Sequence, residues 1–445
     1  MRLPETIESI LSRLHGAGFA AYAVGGCVRD TLAGREPHDW DICTAARPEQ
    51  VHAVFTGEDV RDTGLQHGTV TLVMDHVPYE ITTFRVDGNY SDSRRPDSVA
   101  FTEDVTLDLA RRDFTVNAMA YSPADGLLDP FGGREDLQNG VIRCVGDPRE
   151  RFAEDALRIL RALRFASRFG YSVEEETAAA VHGLAPTLAR IAPERIKAEL
   201  DGLLCGPAAA EVLRSFPDVI GVPIPEVLPC VGFGQRSPWH VYDVWEHTLR
   251  AVAAAPEEPL LRWTMLFHDL GKPPTFSLGL DGHGHFYGHA AESARIAAAV
   301  MDRLRFSNGE RDAIAELVRR HDGVLAPDRK AVRRQLARIG RTQFHRLLAV
   351  KRADNLAQAP ELAAPRLEEL ERLRALADEI ERDGDCTDLQ RLAVNGRDLL
   401  ALGYPPGPAL GAELQRLLEL VLDDPAKNDR DALLRIAKDD KNARM

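Results

Sequence analysis

Apolar residues recur at both strand and helix spacing in the first 145 residues, and almost only at helix spacing afterwards. Residues 5–18 repeat them every three or four positions, which predicts an amphipathic helix. The β-branched runs 69–74 and 79–84 flank a turn and predict a hairpin. After a last predicted strand at 141–145, residues 148–205 have the pattern of helices. We therefore expect an α/β + all-α multidomain protein with its sheet at the N-terminal end.

A glycine pair follows the first predicted strand, 20–24, and precedes a predicted helix at 28–32. Because glycine has no Cβ, such a turn can approach a bulky anion, and the free amides at a helix N-terminus bind phosphate. An arginine in the same helix has the planar fork that suits phosphate oxygens. The candidate phosphate-binding residues of this turn are Gly25, Gly26, Arg29 and Asp30.

Two aspartates flank Trp40, in a segment where a strand is predicted through 40–43. On a strand, Asp39 and Asp41 would point to the same side, about 7 Å apart. Carboxylates beside a phosphate cradle are the ligands that Mg²⁺ uses when it joins protein to nucleotide. Glu80, on the predicted hairpin, is either a third carboxylate for this metal or an exposed strand residue. The combination indicates a metal-dependent nucleotidyl transfer site.

Polar, arginine-bearing segments follow the hairpin. Residues 85–98 are expected to form a mobile loop, since they combine Arg, Ser and Asp with Gly and Pro. Arg111, Arg112 and Asp113 stand at the start of a predicted apolar helix, where they would contact ribose and triphosphate.

The segment 154–164 predicts one continuous helix with a buried apolar stripe. Asp155 and Arg158 would be neighbours on its surface, either as an ordinary ion pair on a solvated face or as a reader of bases. A carboxylate acceptor beside a guanidinium donor matches the Watson–Crick edges of C and A and mismatches those of U and G. Arg161 and Arg164 lie on the same polar side.

The composition limits the class of protein. Of 445 residues, 44% are hydrophobic and 28% charged, which is typical of a soluble globular protein of several domains. No apolar run approaches the roughly 20 residues that span a bilayer, and the N-terminus lacks a signal-peptide core, so a cytoplasmic protein is expected.

Six scattered cysteines without a CxxC pair argue against a zinc ribbon or a disulfide framework. The formal charge of −14 opposes a nucleic-acid partner, yet residues 143–168 hold seven arginines against four acids, which permits a local basic groove.

Four motifs occur in order along the first half: GGCVRD, DWD, RRDFTVNAMAY and EDALRILRALRFASRFGY. Together they resemble the class II tRNA nucleotidyltransferases, which are the CCA-adding enzymes and their bacterial poly(A) polymerase relatives. The resemblance implies a polymerase-β-like head, a helical neck that selects the nucleotide, and helical body and tail domains that bind the acceptor end of tRNA. By motif, Asp39 and Asp41 would bind Mg²⁺, and Gly26, Arg29 and Arg112 would hold the nucleotide. The neck residues that would read base and phosphates are Asp155, Arg158, Arg161 and Arg164.

The second half carries histidines and aspartates on three predicted helices. Such ligands suit a hydrolytic metal centre in a helical bundle, and the order H…HD…D, with HDLGK, resembles the HD-domain metal phosphohydrolases. The resemblance implies a divalent metal of unspecified identity, and phosphatase or 2′,3′-cyclic phosphodiesterase activity of the kind associated with some CCA-adding enzymes. The glycine-rich stretch 282–289 would form a loop over this site. By motif the ligands are His247, His268, Asp269 and Asp354, with His289 and His321 as additional ligands or phosphate contacts.

These interpretations divide the chain into five expected domains: a catalytic head at 1–145, a neck at 146–205, a helical body or linker at 206–238, an HD domain at 239–360 and a tRNA-binding tail at 361–445. The expected activity is the addition of C, C and A to tRNA from CTP and ATP, with Mg²⁺ and release of pyrophosphate. The alternatives are a bacterial poly(A) polymerase, an enzyme that adds only CC or only A, and an HD hydrolase whose head merely binds nucleotide.

Overall fold

The computed structural model describes residues 1–88, 98–236, 241–280, 282–358 and 360–444, and it divides into two compact units. The first unit comprises Met1–Leu228 with Arg303–Phe306, and the second comprises Pro229–Asp302 with Ser307–Met445. The finer division into five domains stays a prediction, and its boundary at 238 lies outside the described residues, as do residues 89–97 of the predicted loop.

A seven-stranded mixed sheet forms the framework of the first unit. The strands of this unit are β1 Ala21–Val24, β2 Ile42–Thr44, β3 Asp59–Gly64, β4 Thr69–Met74, β5 Val77–Thr83, β6 Arg85–Asp87, β7 Val99–Phe101, β8 Ala120–Ser122, β9 Gly126–Leu128, β10 Val141–Ile142 and β11 Ser172–Val173. The sheet order is β3–β4–β5–β2–β1–β8–β9, with β2 and β5 parallel and the other neighbours antiparallel. The predicted hairpin is confirmed as β4 and β5. The loop predicted over 85–98 is wrong at its start, because Arg85–Asp87 form strand β6, which pairs with β7 just after the segment.

Helices cover this sheet and continue beyond it. The helices of the first unit are α1 Glu5–Gly16, α2 Gly26–Leu32, α3 Pro48–Val54, α4 Val105–Ala110, α5 Gly133–Asn139, α6 Pro148–Glu154, α7 Leu157–Phe169, α8 Glu175–Leu184, α9 Pro193–Leu204, α10 Ala209–Ser215 and α11 Pro217–Ile220, with 3₁₀ turns at Leu65–His67, Thr115–Asn117, Ala185–Arg190 and Pro225–Cys230. The apolar stripe predicted for α7 is confirmed, because Ile159, Leu160 and Leu163 are fully buried.

Two predicted elements of the head are wrong in position. Strand β2 begins at Ile42, so Asp39 and Asp41 lie in the irregular segment that leads into the strand and do not share a strand face. The arginine pair follows a helix and does not begin one. Helix α4 ends at Ala110, where the amide of Arg112 bonds the carbonyl of Leu109 at 3.1 Å.

The continuous helix predicted over 154–164 is also wrong. The backbone leaves the helical region at Asp155, with φ −140° and ψ 103°. The Asp155 carboxylate accepts a hydrogen bond from the amide of Leu157 at 3.0 Å, and α7 starts there. An aspartate ahead of a helix satisfies an otherwise unbonded amide, and this favours a new start over continuation. The last predicted strand is shorter than expected, since β10 contains only Val141–Ile142.

The second unit is almost wholly helical. Its elements are α12 Val244–Ala254, α13 Pro259–Phe267, α14 Lys272–Thr275, β12 Ser277–Leu278, β13 Gly284–His285, α15 His289–Arg303, α16 Asn308–Arg320, α17 Arg329–Ile339, α18 Arg341–Leu356, α19 Pro360–Arg382, α20 Gly396–Ala401, α21 Pro408–Asp423 and α22 Arg430–Arg444. A 3₁₀ turn at Pro425–Lys427 lies between α21 and α22. One apolar cluster lies between α17, α18 and α19, and a second joins α20, α21 and α22. All six cysteines of the chain are free thiols, as the sequence predicted. Within the described ranges no helix is long and apolar enough to cross a membrane.

Candidate functional site

The glycine turn of the head brings α2 against the arginine pair. Gly25 precedes α2 with φ +79° and ψ −126°, a conformation that favours glycine. Its amide donates to the carbonyl of Met119 at 3.1 Å. A Cβ on Gly25 would lie 2.8 Å from Nη1 of Arg112. A larger residue would therefore be strained in its backbone and would also push Arg112 away.

Strand register brings two of the predicted metal-binding carboxylates together. Strands β2 and β5 run parallel with Ile42 opposite Ile81. Asp41 and Glu80 each come one residue earlier, so they lie side by side where neighbouring backbones are about 4.8 Å apart. Asp39 is two residues further back, and its side chain is 85% exposed.

The electrostatics of this cluster suit a divalent cation. The residue Asp41 is exposed at the surface, but the protein packed around its carboxyl raises its pKa. Arg112 opposes that rise, and the negative charges of Glu80 and Asp39 add to it. A bound cation would relieve this repulsion, and Mg²⁺ is commonly bound by one or two carboxylates together with substrate phosphates. Asp41 and Glu80 therefore supply the kind of ligand that the family resemblance implies, although among the described residues the carboxylates of Asp39, Asp41 and Glu80 do not converge within 4.8 Å of one another.

Arg29 is held by protein groups. It is 6% exposed, its Nη1 donates to Oδ1 of Asn117 at 2.5 Å, and Nε and Nη2 bond both oxygens of Asp30 at 3.0 and 2.9 Å. Its guanidinium lies 4.7 Å from the centroid of the Phe169 ring. In this structure Arg29 therefore joins α2 to Asn117 and to Phe169 of α7, Asp30 holds its guanidinium, and a phosphate contact by Arg29 stays a prediction.

The arginine pair is anchored by a carboxylate that the sequence reasoning missed. Asp108, fully buried in α4, accepts two hydrogen bonds from Arg111 at 2.7 and 3.0 Å and one from Arg112 at 3.5 Å. Its spacing of three and four residues from the arginines was the available signal, because such residues meet on a helix surface.

Asp113 faces the neck. Its Oδ2 accepts from Nε and Nη2 of Arg161 at 3.0 and 2.7 Å, and its Oδ1 accepts from Asn117 at 3.1 Å. Burial alone would raise the pKa of Asp113, but the charge and hydrogen bonds of Arg161, with the hydrogen bond from Asn117, lower it below its usual value. The carboxylate is thus charged, and it fixes one of the predicted phosphate-reading arginines.

Asp155 and Arg158 do not pair with each other. Nη2 of Arg195 donates to Oδ2 of Asp155 at 3.1 Å, whereas Nη1 of Arg158 donates to Oε2 of Glu154 at 2.6 Å. Nη2 of Arg158 also donates to the carbonyl of Arg111 at 3.2 Å. The expected ion pair on a solvated helix face is therefore wrong for this conformation. The break before α7 turns the two side chains toward different partners.

Helix α9 supplies two partners that sequence reasoning missed. Arg195 binds Asp155, and Glu199 accepts from Nε of Arg164 at 2.6 Å and lies 3.9 Å from Nη1 of Arg161. The only sequence signal was their spacing of four residues, which places both on one face of α9. That this face of α9 packs against α7 is decided by tertiary structure, which the spacing alone does not show.

The second unit gathers its predicted ligands into two adjacent groups. The first group contains His247, His268 and Asp354, and the second contains Asp269, His289 and His321; within each, the candidate ligand atoms lie within 4.8 Å of one another. His247 comes from α12 and Asp354 from α18, as predicted, whereas His268 and Asp269 directly follow α13, which ends at Phe267 and not at Leu270.

The histidine tautomers fit a bound cation. The Nδ1 atom of each of the four imidazoles faces a backbone carbonyl at 2.6–3.3 Å, so the neutral ring in this position has its proton on Nδ1 and a lone pair on Nε2, the form in which imidazole binds a metal. Yet the Nε2 atoms face each other in pairs, at 3.1 Å for His247 and His268 and at 3.3 Å for His289 and His321. Two lone pairs at that distance repel unless a cation binds both, which is how imidazole ligands hold a metal.

Asp269 lies between the two groups. Its Oδ2 is 3.2 Å from Nε2 of His268, and its Oδ1 is 3.6 Å from Nε2 of His289. Lys272 Nζ lies 2.8 Å from Oδ2. Burial would raise the pKa of Asp269, but its electrostatic interactions with His268 and Lys272 hold it well below its usual value. The carboxylate therefore presents one charged oxygen toward each group.

A cavity of about 690 Å³ opens beside these groups. Asp269, His289, His321 and Asp354 line it, together with the glycine-rich residues 284–288 that were predicted to cover the site. This volume is in the range of small-molecule sites.

The fold and the head site define a nucleotidyltransferase. Residues 21–143 match the family “Poly A polymerase head domain”, residues 170–216 match “Probable RNA and SrmB- binding site of polymerase A”, and residues 290–437 match “tRNA nucleotidyltransferase domain 2 putative”.

Similarity to characterised relatives extends over the whole chain. The CCA-adding enzyme of Latilactobacillus sakei subsp. sakei is 36% identical over 444 residues, 98% of each chain. That of Leuconostoc mesenteroides subsp. mesenteroides is 51% identical over 208 residues, so the match spans about half of both proteins, 46% of this chain and 51% of the relative. A crystal structure of the Bacillus stearothermophilus CCA-adding enzyme in complex with CTP matches with a TM-score of 0.73 and 30% identity, over 100% of this chain and 99% of that one. This chain belongs to the CCA-adding enzyme family.

Proposed function

We propose that this protein adds C, C and A to the 3′ end of tRNA, taking CTP and ATP and releasing pyrophosphate. The observation that carries the proposal is the register of β2 and β5, which sets Asp41 beside Glu80. It is read together with the membership of this chain in the CCA-adding enzyme family. In the reaction, the oxygen of the terminal 3′-hydroxyl forms a bond to the α-phosphorus of the nucleotide. The bond from that phosphorus to the bridging oxygen breaks, pyrophosphate departs, and the hydroxyl proton passes to solvent.

Asp39, Asp41 and Glu80 would hold Mg²⁺, which supplies positive charge next to the reacting phosphates. The amides at the start of α2, beside Gly25 and Gly26, would bind triphosphate oxygens. The part of this chain is chiefly positioning and charge stabilisation.

Asp155 and Arg158 would read the base, and their present partners support a rearrangement on nucleotide binding. Arg195 and Glu154 hold the two side chains apart, so a bound C or A would replace these contacts with its amino donor and ring acceptor. U or G would leave a donor facing a donor and an acceptor facing an acceptor.

The test is incorporation by the purified protein with Mg²⁺ on tRNA transcripts that end before CCA, after C, or after CC, with each nucleotide supplied separately. We expect C on the first two transcripts and A on the third. Extension of the third transcript alone would identify an A-adding enzyme, C additions without A a CC-adding enzyme, and long A tails a poly(A) polymerase. Incorporation on no transcript would contradict the proposal.

We further propose that the second unit is an HD-type metal phosphohydrolase. The paired Nε2 atoms support divalent metal binding at His247, His268, Asp269 and Asp354, and His289 and His321 would complete the ligand set. The bound metal would supply a polarised water and charge at a phosphoester. In the hydrolysis of a 2′,3′-cyclic phosphate, the water oxygen bonds to phosphorus, one ribose oxygen leaves, and that oxygen takes the water proton.

Metal content after chelation and reloading with Mg²⁺, Mn²⁺, Co²⁺ or Ni²⁺ tests binding. Release of phosphomonoester from nucleoside 2′,3′-cyclic phosphates tests hydrolysis. The His268→Ala variant should lose both the bound metal and the hydrolysis of cyclic phosphates. Equal metal content in His268→Ala and the unchanged protein would rule out this site.

A further inference from the structure

The rim of the metal-site cavity carries an aromatic stack. Tyr287 is 78% exposed, and its ring lies parallel to that of His285, with an interplanar angle of 8° and centroids 5.3 Å apart. Both residues line the cavity. An exposed tyrosine that is already stacked on a second ring at the edge of a polar cavity is a candidate ligand contact, because its ring can cover a flat apolar surface of a ligand while its hydroxyl stays in water.

The chain places this ring close to the metal ligands. Tyr287 is two residues from His289, whose Nε2 belongs to the second ligand group, so the two backbone positions are at most about 7 Å apart. Gly288 lies between them with φ +76°, a left-handed turn. This turn separates Tyr287, which is exposed at the cavity, from His289, which begins α15 and belongs to the second ligand group.

The chemistry on the two sides of the cavity matches a nucleotide. The metal-ligating side suits a phosphoester, and a flat aromatic ring suits any nucleobase, because every base has a π-face. Val324 is 95% exposed on the same cavity, but it is aliphatic and offers no stacking face.

We propose that Tyr287, supported by His285, is a specificity-determining residue that stacks on the base of a nucleoside phosphoester whose phosphate lies at the metal ligands. The proposal rests on the phosphohydrolase function proposed above, and it assigns that site a nucleotide or an RNA 3′ end in preference to phosphoesters without a base.

Calorimetry on the full-length protein loaded with Mn²⁺ tests the proposal. The background carries Asp39→Asn and Asp41→Asn, so that the head contributes little nucleotide binding. The probes are uridine 3′-monophosphate, a tetranucleotide ending in a 3′-phosphate, and glycerol 2-phosphate, which lacks a base. Tyr287→Ala should weaken the binding of the first two probes by about tenfold and leave the affinity for glycerol 2-phosphate unchanged. Comparison of the two base-bearing probes tells a mononucleotide site from a site for RNA ends.

The matched controls are Tyr287→Phe, which keeps the ring and should keep the affinity, and Val324→Ala, which should change no affinity. Unaltered Mn²⁺ content would show that Tyr287→Ala retains the site. The proposal would be overturned if Tyr287→Ala weakened the binding of all three probes equally, or the binding of none. Selective weakening without any hydrolysis would leave the base contact standing and reject the hydrolytic function, so the two proposals fail separately.

Discussion

Asp155 and Arg158 illustrate how single residues in the neck are held before substrate binds. Each makes a charged hydrogen bond to a residue other than its expected partner, at 3.1 Å to Arg195 and at 2.6 Å to Glu154. A nucleotide must offer better partners than these to engage both side chains. If these residues read the base as we propose, selection depends on the difference between two sets of hydrogen bonds, and a base with mismatched groups forms none that replace the present ones.

Removal of either reader should relax base choice. For Asp155→Ala and for Arg158→Ala we expect kcat/KM with UTP or GTP, relative to CTP, to rise by about 5- to 150-fold, equivalent to about 1–3 kcal/mol for an unpaired buried group. Single-turnover incorporation with each nucleotide measures this. Arg149→Ala, an exposed arginine of α6, is the control and should keep selection intact. Continued full rejection of UTP and GTP by both variants would contradict the base-reading role.

Asp113 makes a pH-dependent contribution to stability. Its folded-state pKa is lowered, so its stabilisation is present above its unfolded pKa of about 3.8 and is lost as the pH falls through the folded value. Asp113→Asn should cost about 3 kcal/mol at pH 7, because Arg161 loses its partner, and the cost should shrink below about pH 4.

Urea midpoints at pH 7 and pH 3.5 measure this difference. The control is Asp75→Asn, at an exposed turn residue with φ 51°, a conformation that asparagine tolerates. A cost for Asp113→Asn that does not depend on pH would show that the carboxylate charge has no part in its effect.

At the scale of elements, local pattern predicted what local interactions decide. The apolar face of α1, the hairpin β4–β5 and the helices that carry His247 and Asp354 all follow from spacing within one segment. The break at Asp155 does not, because its capping bond competes with an equally good helical pattern and its carboxylate is also bound by Arg195, forty residues away. The candidate metal ligands were proposed by motif, whereas the facing Nε2 atoms and the position of Asp269 between them required the packing of four chain segments.

The end of α7 provides a stability test of one element. Gly170 follows the helix with φ +69°, and a Cβ there would meet no atom within 4 Å, so Gly170→Ala should cost about 1 kcal/mol through backbone strain alone. Gly183, inside α8, also has open space but helical dihedrals, so Gly183→Ala should gain up to about 1 kcal/mol. Hydrogen exchange of the α7 and α8 amides compares the two variants. The same sign of change in both would show that left-handed geometry does not decide the outcome at Gly170.

At the scale of the whole molecule, the chain contains two chemically different candidate sites, each within a unit that has its own core. The carboxylates of the head are oxygen ligands suited to Mg²⁺, whereas the second unit adds imidazoles, which suit transition metals. Substitutions at sites that share no partners add independently, so each site should be separable by mutation. His268→Asn with Asp269→Asn should abolish metal binding by the second unit and leave CCA incorporation within about twofold of the unchanged protein.

The reciprocal variant is Asp41→Asn, which should lower incorporation by about 100-fold or more and leave the metal content of the second unit unchanged. Both effects are measured on the same preparations, by incorporation into tRNA transcripts and by elemental analysis after removal of free metal. Circular dichroism establishes that each variant is folded. Loss of incorporation in a folded His268→Asn, Asp269→Asn protein would mean that the metal of the second unit serves nucleotidyl transfer itself. The ligand set of the second unit would then be explained without any hydrolytic role.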